Sequence, residues 1–97
     1  MASLLYISEY TQNVIDSPTL VQEPATVIQQ VNYAGGSTQS AAFRSDTRMV
    51  RLHTDSICSF LFGTNPTATT TSPRMAANQT EYFKVNPGFK VAAIINT

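Results

Sequence analysis

The sequence of 97 residues contains little charge, one cysteine, one histidine and no tryptophan. Charged residues make up 12% of the chain, against a usual share of roughly 25%. The six basic and six acidic residues cancel to a formal net charge of zero. Such a chain lacks the electrostatic attraction that holds proteins to nucleic acid or to anionic lipid. We therefore expect no nucleic-acid partner and no membrane partner.

The scarcity of cysteine and histidine restricts the chemistry of the chain. A single cysteine cannot form an internal disulfide. One histidine, one cysteine and six scattered carboxylates show none of the spacings of zinc or calcium sites. Gly35 and Gly36 form a glycine pair, but neither a lysine nor a helical pattern follows it, as a phosphate loop requires. We expect no metal and no cofactor.

Hydrophobic runs are also short. The longest, "LLYI" and "VAAII", fall far short of a membrane span of about 18 apolar residues. The start, "MASLLYISEY", lacks the basic region and long apolar stretch of a secretory signal, so the product is expected to stay where it is made. The hydrophobic share of 42% is nevertheless too high for a disordered chain. The sequence predicts one folded domain over residues 1–97.

The chain is rich in neutral polar residues and in short β-type runs. It contains 13 Thr, 9 Ser, 6 Asn and 6 Gln, and an uncharged surface of this kind favours self-association. Runs of β-branched and aromatic residues alternate with Gly, Pro, Asn, Asp and Ser. This pattern predicts an all-β fold, a small β-sandwich or jelly-roll-like barrel with an extended N-terminal arm. Strands are predicted at residues 4–10, 25–33, 39–44, 47–54, 57–62, 80–85 and 89–96.

Two turns are predicted to form hairpins. The segment "TDS" at 54–56 is a short hairpin-like connection between two predicted strands. In "NPG" at 86–88, Pro87 presets its own φ and Gly88 can adopt the positive φ of a type II turn. The second turn predicts a hairpin over residues 80–95.

Two stretches do not fit strands and are candidate binding elements. Residues 11–25 contain two prolines and several apolar residues, which favours an extended segment that docks on a partner, or alternatively one that covers its own domain. Residues 63–79 form a long Thr-rich stretch, and long loops are often functional. We divide the chain into an arm or edge segment, 1–25, and a compact core, 26–97. The predicted partner-binding residues are Val14, Ile15, Leu20, Val21, Thr67, Thr69 and Thr70.

His53 and Cys58 flank the turn at 54–56, and on adjacent strands they are candidates for a base and its nucleophile. Cys58, however, alternates in phase with Phe60 and Phe62, whereas His53 is out of phase with Leu52. Free cysteine is among the most buried residue types. The pattern predicts a core cysteine and a surface histidine, and no catalytic residues.

Three arginines, Arg44, Arg48 and Arg51, lie close together in the sequence. Asp46 and Asp55 lie beside them, and no aromatic residues are interleaved to stack on bases. We expect solvated strand faces or ion pairs between subunits rather than a basic binding patch.

Residues 40–95 contain the pattern T-x-x-V-R-L, then C-x-x-x-F-G-x-N-P-T-A, then R-x-x-A-x-x-x-E-Y-F-x-V-x-x-G-x-K-V-A-x-I. The pattern is met by Thr47, Val50, Arg51, Leu52, Cys58, Phe62, Gly63, Asn65, Pro66, Thr67, Ala68, Arg74, Ala77, Glu81, Tyr82, Phe83, Val85, Gly88, Lys90, Val91, Ala92 and Ile94. This segment resembles small proteins encoded beside the capsid genes of tailed bacteriophages. The likeness covers a little over half of the chain.

The resemblance implies a non-enzymatic virion structural protein, a capsid decoration or cement protein that binds the major capsid protein and stabilises the phage head. It implies a location in the virion, and in the host cytoplasm during assembly. A homo-oligomer is expected, with a trimer favoured because capsid lattices offer threefold sites, and a dimer next. The alternative is a virion-associated glycan- or receptor-binding β module with Tyr6, Tyr33 or Tyr82 as its aromatic platform.

Overall fold

The computed structural model describes residues 3–11 and 25–96. Eight strands run through these residues, and no helix occurs among them, so the all-β prediction is confirmed. The strands are β1 Leu4–Tyr10, β2 Val27–Asn32, β3 Thr38–Gln39, β4 Met49–Thr54, β5 Cys58–Gly63, β6 Arg74–Met75, β7 Thr80–Lys84 and β8 Lys90–Ile95.

The strands form two antiparallel sheets of four strands each. The first sheet has the order β2-β1-β4-β7, and the second has the order β3-β8-β5-β6. Every pairing between neighbours is antiparallel. The chain therefore changes sheet at most of its connections, and only β1–β2 and β5–β6 are consecutive strands that pair.

Most predicted strands form close to their predicted bounds, with two exceptions. The strand predicted at 39–44 is wrong beyond its first residue, because β3 covers only Thr38–Gln39 and the following residues lead the chain to the other sheet. Strand β6, Arg74–Met75, forms inside the stretch expected to be a loop. Two residues are too few to show an alternating pattern in the sequence.

The N-terminal segment differs from the predicted arm. Strand β1 is an interior strand, with Ile7 opposite Gln29 on β2 and opposite Leu52 on β4. The division into an arm, 1–25, and a core, 26–97, is therefore wrong for residues 4–10, which belong to the core. The predicted partner-binding residues Val14, Ile15, Leu20 and Val21 lie outside the described residues.

Neither predicted hairpin forms. Strands β4 and β5, on either side of residues 54–56, belong to different sheets, and so do β7 and β8. The turn itself is as predicted, because Gly88 has a φ of 80° and the Phe89 amide donates to the Asn86 carbonyl at 3.2 Å. Turn chemistry thus specifies where each strand ends but not whether the next strand pairs with it.

Both sheets contribute to one hydrophobic core. Period-2 alternation directs one face of each strand inward. The first sheet contributes Leu5, Ile7, Val31, Val50 and Leu52, and the second contributes Cys58, Phe60, Met75, Val91 and Ala93. The rings of Phe60 and Phe83, from different sheets, lie 5.2 Å apart between centroids. Contacts of this kind hold the two sheets together.

The segment that joins β3 to β4 crosses between the sheets beside the segment that joins β7 to β8. The Phe43 amide donates to the Phe89 carbonyl at 2.8 Å, and the Gly88 amide donates to the Phe43 carbonyl at 3.2 Å. Further along, the Val85 amide donates to the Arg48 carbonyl at 3.1 Å. These bonds satisfy backbone groups that would otherwise lack partners where the sheets separate.

Glu9 is a fully buried acidic residue at the inner face of β1. One carboxylate oxygen accepts from the Arg44 amide at 3.0 Å and from the Thr47 hydroxyl at 2.7 Å, and the other accepts from the Gln29 side-chain amide at 2.7 Å. All three partners donate to its oxygens, which act as acceptors. A buried carboxylate is tolerated when it is hydrogen-bonded in this way. It joins β1 to β2 and to the crossing segment.

Replacing Gly88 tests the turn between β7 and β8. Gly88→Ala is expected to lower the free energy of unfolding by about 1 kcal/mol, because alanine is strained at positive φ. Gly35→Ala is the matched control, since Gly35 has no positive φ and a Cβ there meets nothing within 4 Å. Urea unfolding of both variants measures the difference, and equal stabilities would show that alanine is not strained at position 88.

Replacing Glu9 tests the buried carboxylate. Glu9→Gln places an amide donor where only acceptors are needed, so the free energy of unfolding should fall by about 1 to 3 kcal/mol. Glu81→Gln is the control, because Glu81 is half-buried and accepts one side-chain bond, from Gln79 at 2.6 Å. Urea unfolding at neutral pH compares the two. A larger loss for Glu81→Gln contradicts the central place of Glu9.

Candidate functional site

A buried polar cluster surrounds Cys58 at the start of β5. The side chains of Tyr33, Thr54 and Cys58 are fully buried. The Tyr33 and Thr54 hydroxyl oxygens lie 2.6 Å apart, and they lie 3.0 and 2.8 Å from the Ser56 carbonyl oxygen. The cluster ties the β4–β5 connection to the chain that leaves β2. Its polar groups are satisfied inside the protein, as buried polar groups require.

The chemistry of Cys58 is that of a core residue. Burial raises the pKa of its thiol above the ordinary value of 9.0, against the opposing effect of hydrogen bonds from Thr54 and Tyr33. Burial likewise raises the pKa of the Tyr33 hydroxyl above 10.0. A thiol that keeps its proton is a weak nucleophile. The prediction of a buried cysteine is confirmed.

His53 lies on the opposite side of the first sheet from the core. Its neighbours Leu52 and Thr54 are fully buried, whereas His53 is half-buried. Its Nδ1 atom lies 2.7 Å from the Thr80 hydroxyl, and its ring lies 6.2 Å from the Tyr6 ring. Since Cys58 points into the core, the two side chains face different ways and do not form a catalytic pair.

The outward side of the first sheet carries aromatic and basic side chains that we call the tyrosine face. It comprises Tyr6, Arg51, His53 and Tyr82, which the register places in two adjacent rows, Tyr6 opposite His53 and Arg51 opposite Tyr82. All four side chains are half-buried. Tyr33, the third tyrosine considered as an aromatic platform, is in the core and cannot serve.

Residues 64–73, which we call the threonine loop, fold back on the outward side of the second sheet. The Gln39 side-chain amide donates to the Asn65 side chain and to the Pro66 carbonyl, both at 2.8 Å. The Ala68 amide donates to the Ser37 hydroxyl at 2.9 Å. Ala68 itself is only 2% exposed. The loop is therefore ordered by contacts with β3 and with Ser37, the residue before β3.

The far side of the threonine loop is attached to the end of the chain. The Asn96 side-chain amide donates to the Thr70 carbonyl at 3.0 Å and to the Ser59 hydroxyl at 2.7 Å. Thr67, Thr69 and Thr70 are all exposed. The three threonines predicted to bind a partner thus lie at the surface, on a loop that is fixed at both sides.

An open groove, which we call the phenylalanine groove, lies where β7 ends. Its volume is about 280 Å³, and it is lined by Phe62, Phe83, Lys84, Val85, Asn86 and Phe89. The Phe62 and Phe83 rings, from different sheets, lie 5.3 Å apart. The groove is an apolar surface with one cationic side chain, Lys84, at its border. Its aromatic residues, Phe62, Phe83 and Phe89, are well separated in the sequence, and only the tertiary fold brings them together.

The three arginines do not form one basic patch. Arg44 pairs with Asp46 at 3.0 Å, and both side chains are about half exposed. Arg51 lies on the tyrosine face, while Arg48 precedes β4. The ion pair of Arg44 thus lies within one chain, whereas the sequence analysis expected solvated strand faces or ion pairs between subunits. Pairs between subunits stay a prediction.

Within residues 3–11 and 25–96, no group of three or more His, Cys, Asp or Glu side chains is arranged to hold a metal ion. The same residues contain no helix long and apolar enough to cross a membrane. Comparison with known proteins finds no matching family model, no similar curated protein and no similar solved structure. The resemblance to phage capsid-associated proteins therefore stays an inference from the sequence pattern.

The raised pKa of Cys58 predicts a loss of stability in alkali. The unfolded chain gives up the thiol proton near the ordinary pKa of 9.0, whereas the folded chain keeps it, so the free energy of unfolding falls as the pH rises beyond that value. Cys58→Ala should show a shallower decline between about pH 8 and about pH 10. Urea unfolding across this range measures both slopes, and parallel slopes would contradict the assignment.

Proposed function

We propose that this chain is a non-enzymatic structural protein of a virion, which binds the major capsid protein as a decoration or cement protein and stabilises the phage head. The observation that carries the proposal is the threonine loop, an uncharged and exposed surface that is fixed to the domain. The protein would act in the virion and would be present in the host cytoplasm during assembly.

The attachment of the threonine loop suits a binding element. Hydrogen bonds from Gln39 and Asn96 hold the loop at its two sides, and Ala68 anchors its centre. A loop that is already ordered loses little conformational entropy when it binds. Thr67 and Thr70 present methyl and hydroxyl groups that can pack and hydrogen-bond against a protein surface without desolvating a charge.

The sequence resemblance supports the same surface. Its segment, 40–95, includes the threonine loop together with β4 to β8. Within the pattern, Asn65 accepts from Gln39, and Ala68 is the buried residue at the centre of the loop, so these residues shape the loop. Gly63, the last residue of β5, directly precedes the loop, and a Cβ there would lie 3.7 Å from Pro66. The pattern thus describes how the proposed binding surface is built.

We infer that the two sheets pack face to face as a jelly-roll-like sandwich. The strands can be followed as a two-stranded ribbon that alternates between the sheets. Its successive pairs are β2/β1, β3/β8, β4/β7 and β5/β6. A ribbon wound in this way is the path of a jelly roll. The core residues drawn from both sheets support this inference.

Self-association and the arm belong to the proposal as well. Copies of a protein with a formal net charge of zero do not repel each other over distance. A trimer or a dimer would satisfy this expectation. Val14, Ile15, Leu20 and Val21 are proposed from the sequence to add apolar contacts with the capsid.

A glycan- or receptor-binding β module is the second candidate, and the tyrosine face favours it. Tyr6 and Tyr82 can stack on sugar rings, and aromatic platforms with nearby polar groups are common in such sites. Arg51 makes no ion pair within the described residues. Shifts of the Tyr6 and Tyr82 ring signals on addition of host glycans, without shifts in the threonine loop, would support this candidate.

Charged substitutions in the threonine loop test the capsid proposal. Thr67→Arg combined with Thr70→Arg should weaken binding to purified heads that lack this protein by about tenfold or more, because two uncompensated charges must be desolvated. Co-sedimentation of folded protein with the heads measures the effect.

The matched control carries the same added charge elsewhere. Ile28→Arg combined with Gln30→Arg places two arginines on exposed positions of β2. This variant should bind heads like the unmodified protein. Equal binding by both double variants would remove the threonine loop from the interface, and no binding by the unmodified protein would refute the capsid proposal itself.

A further inference from the structure

Strand β7 leaves one side of its backbone open. Within the described residues it pairs only with β4, and its other side is an edge of the first sheet. The Val85 amide donates to Arg48 and the Thr54 amide donates to Gln79, which identifies the odd-numbered residues from 79 to 85 as those that bond β4. The amides and carbonyls of Thr80, Tyr82 and Lys84 therefore point away from the sheet.

The other edges of the described sheets are less suited to pairing. Strands β3 and β6 have two residues each. Beside β2, the Gln29 side-chain oxygen accepts from the Ala41 amide at 2.9 Å, and its NH2 group donates to the Ala41 carbonyl at 3.4 Å. The segment at Ala41 is therefore held against a side chain of that strand. Strand β7 is thus the longest edge without such a neighbour, and an open edge is a template for another strand.

We propose that two copies of this chain pair antiparallel through β7, with a two-fold axis at Tyr82. The pairing joins the two first sheets into one continuous sheet of eight strands. This inference concerns self-association alone and does not depend on capsid binding. It selects the dimer, the second of the two oligomers expected from the sequence, over the trimer.

The open side of β7 is complementary to itself. With the axis at Tyr82, this residue lies opposite Tyr82 of the second copy, and Thr80 lies opposite Lys84 of the second copy. Each of the three residues whose backbone groups point away from the sheet then faces another residue of this kind. Each such pair exchanges two hydrogen bonds, so the three pairs form about six. Every residue of the strand, Thr80–Lys84, has a partner in this register.

Charge also selects this register. Glu81 lies opposite Phe83 of the second copy, and no two like charges face each other. A register centred on Glu81 would place the two Glu81 side chains opposite each other, which is unfavourable. A register centred on Phe83 would place Thr80 opposite Asn86, beyond the end of the strand and next to Pro87, which has no amide hydrogen.

The phenylalanine groove adds apolar surface to the same contact. Phe83 lies on β7 and lines the groove with Phe62 and Phe89. In the proposed register the Phe83 rings of the two copies are diagonal neighbours, within reach of each other across the axis. The half-exposed aromatic cluster of each copy would then extend into that of the other. Burial of this surface favours association beyond the backbone bonds.

Amide hydrogen exchange gives a direct test, because the backbone amides on the two edges of β7 should differ in how their protection depends on protein concentration. The amides of Glu81 and Phe83 bond β4 and should be protected at every protein concentration. The amides of Thr80, Tyr82 and Lys84 should become protected only as the concentration rises and the dimer forms. Hydrogen exchange followed by NMR resolves these alternating residues, and sedimentation equilibrium gives the mass under the same conditions.

Two kinds of variant test the position of the axis. Tyr82→Pro removes an amide that faces the open edge and leaves the β4 ladder intact, so the fold should persist by circular dichroism while the dimer Kd rises about tenfold or more. Tyr82→Glu and Tyr82→Lys should each be monomeric, since like charges meet at the axis. Mixing them should restore a dimer that contains one copy of each.

Ile28→Lys, on the other edge of the first sheet, is the control and should dimerise normally. A monomer at high micromolar concentration, a trimer, or a dimer that persists in Tyr82→Glu would overturn the proposal. Loss of the dimer in Ile28→Lys would do the same, because it would assign the contact to β2. Dimerisation can be measured without capsids, so its failure is distinct from a failure to bind heads.

Discussion

The buried carboxylate of Glu9 is the interaction on which the arrangement of the chain most depends. It accepts hydrogen bonds from β2 and from the segment that crosses between the sheets. The three donors, a side-chain amide, a backbone amide and a hydroxyl, are uncharged groups. A buried carboxylate must be hydrogen-bonded, so the chain can follow only those paths that bring donors to it. The crossing segment is thus fixed in position before β4 begins. The segment that joins β7 to β8 is hydrogen-bonded beside it.

Neutral polar groups do in this protein much of what ion pairs do elsewhere. Gln29, Gln39 and Asn96 each connect separate parts of the described chain through their side-chain amides. An amide both donates and accepts, so it can join two backbone groups at once, and salt does not screen it. The composition, low in charge and rich in Asn and Gln, is therefore directly visible in the tertiary contacts.

Local features of the structure could be predicted from the sequence, whereas the pairing of distant segments could not. Alternation placed Cys58 and Phe60 inside, and the "NPG" motif specified the turn at Gly88. The same motif suits a hairpin and a change of sheet, so the partner of β7 depends on contacts with β4 that no local pattern encodes. The phenylalanine groove needs Phe62 and Phe83 from different sheets, and the buried Glu9 needs donors up to 38 residues away.

The two-residue strands at the borders of the second sheet limit how this protein can assemble. A fibril grows when strands add to both sides of a sheet without end, and each addition needs an edge of several residues. Here the second sheet ends on β3 and β6, which are too short to template another strand. Growth by strand addition is thereby confined to the first sheet. With its β7 edge used up in the proposed pair, only the β2 edge is left for further growth, which favours closed, finite particles over filaments.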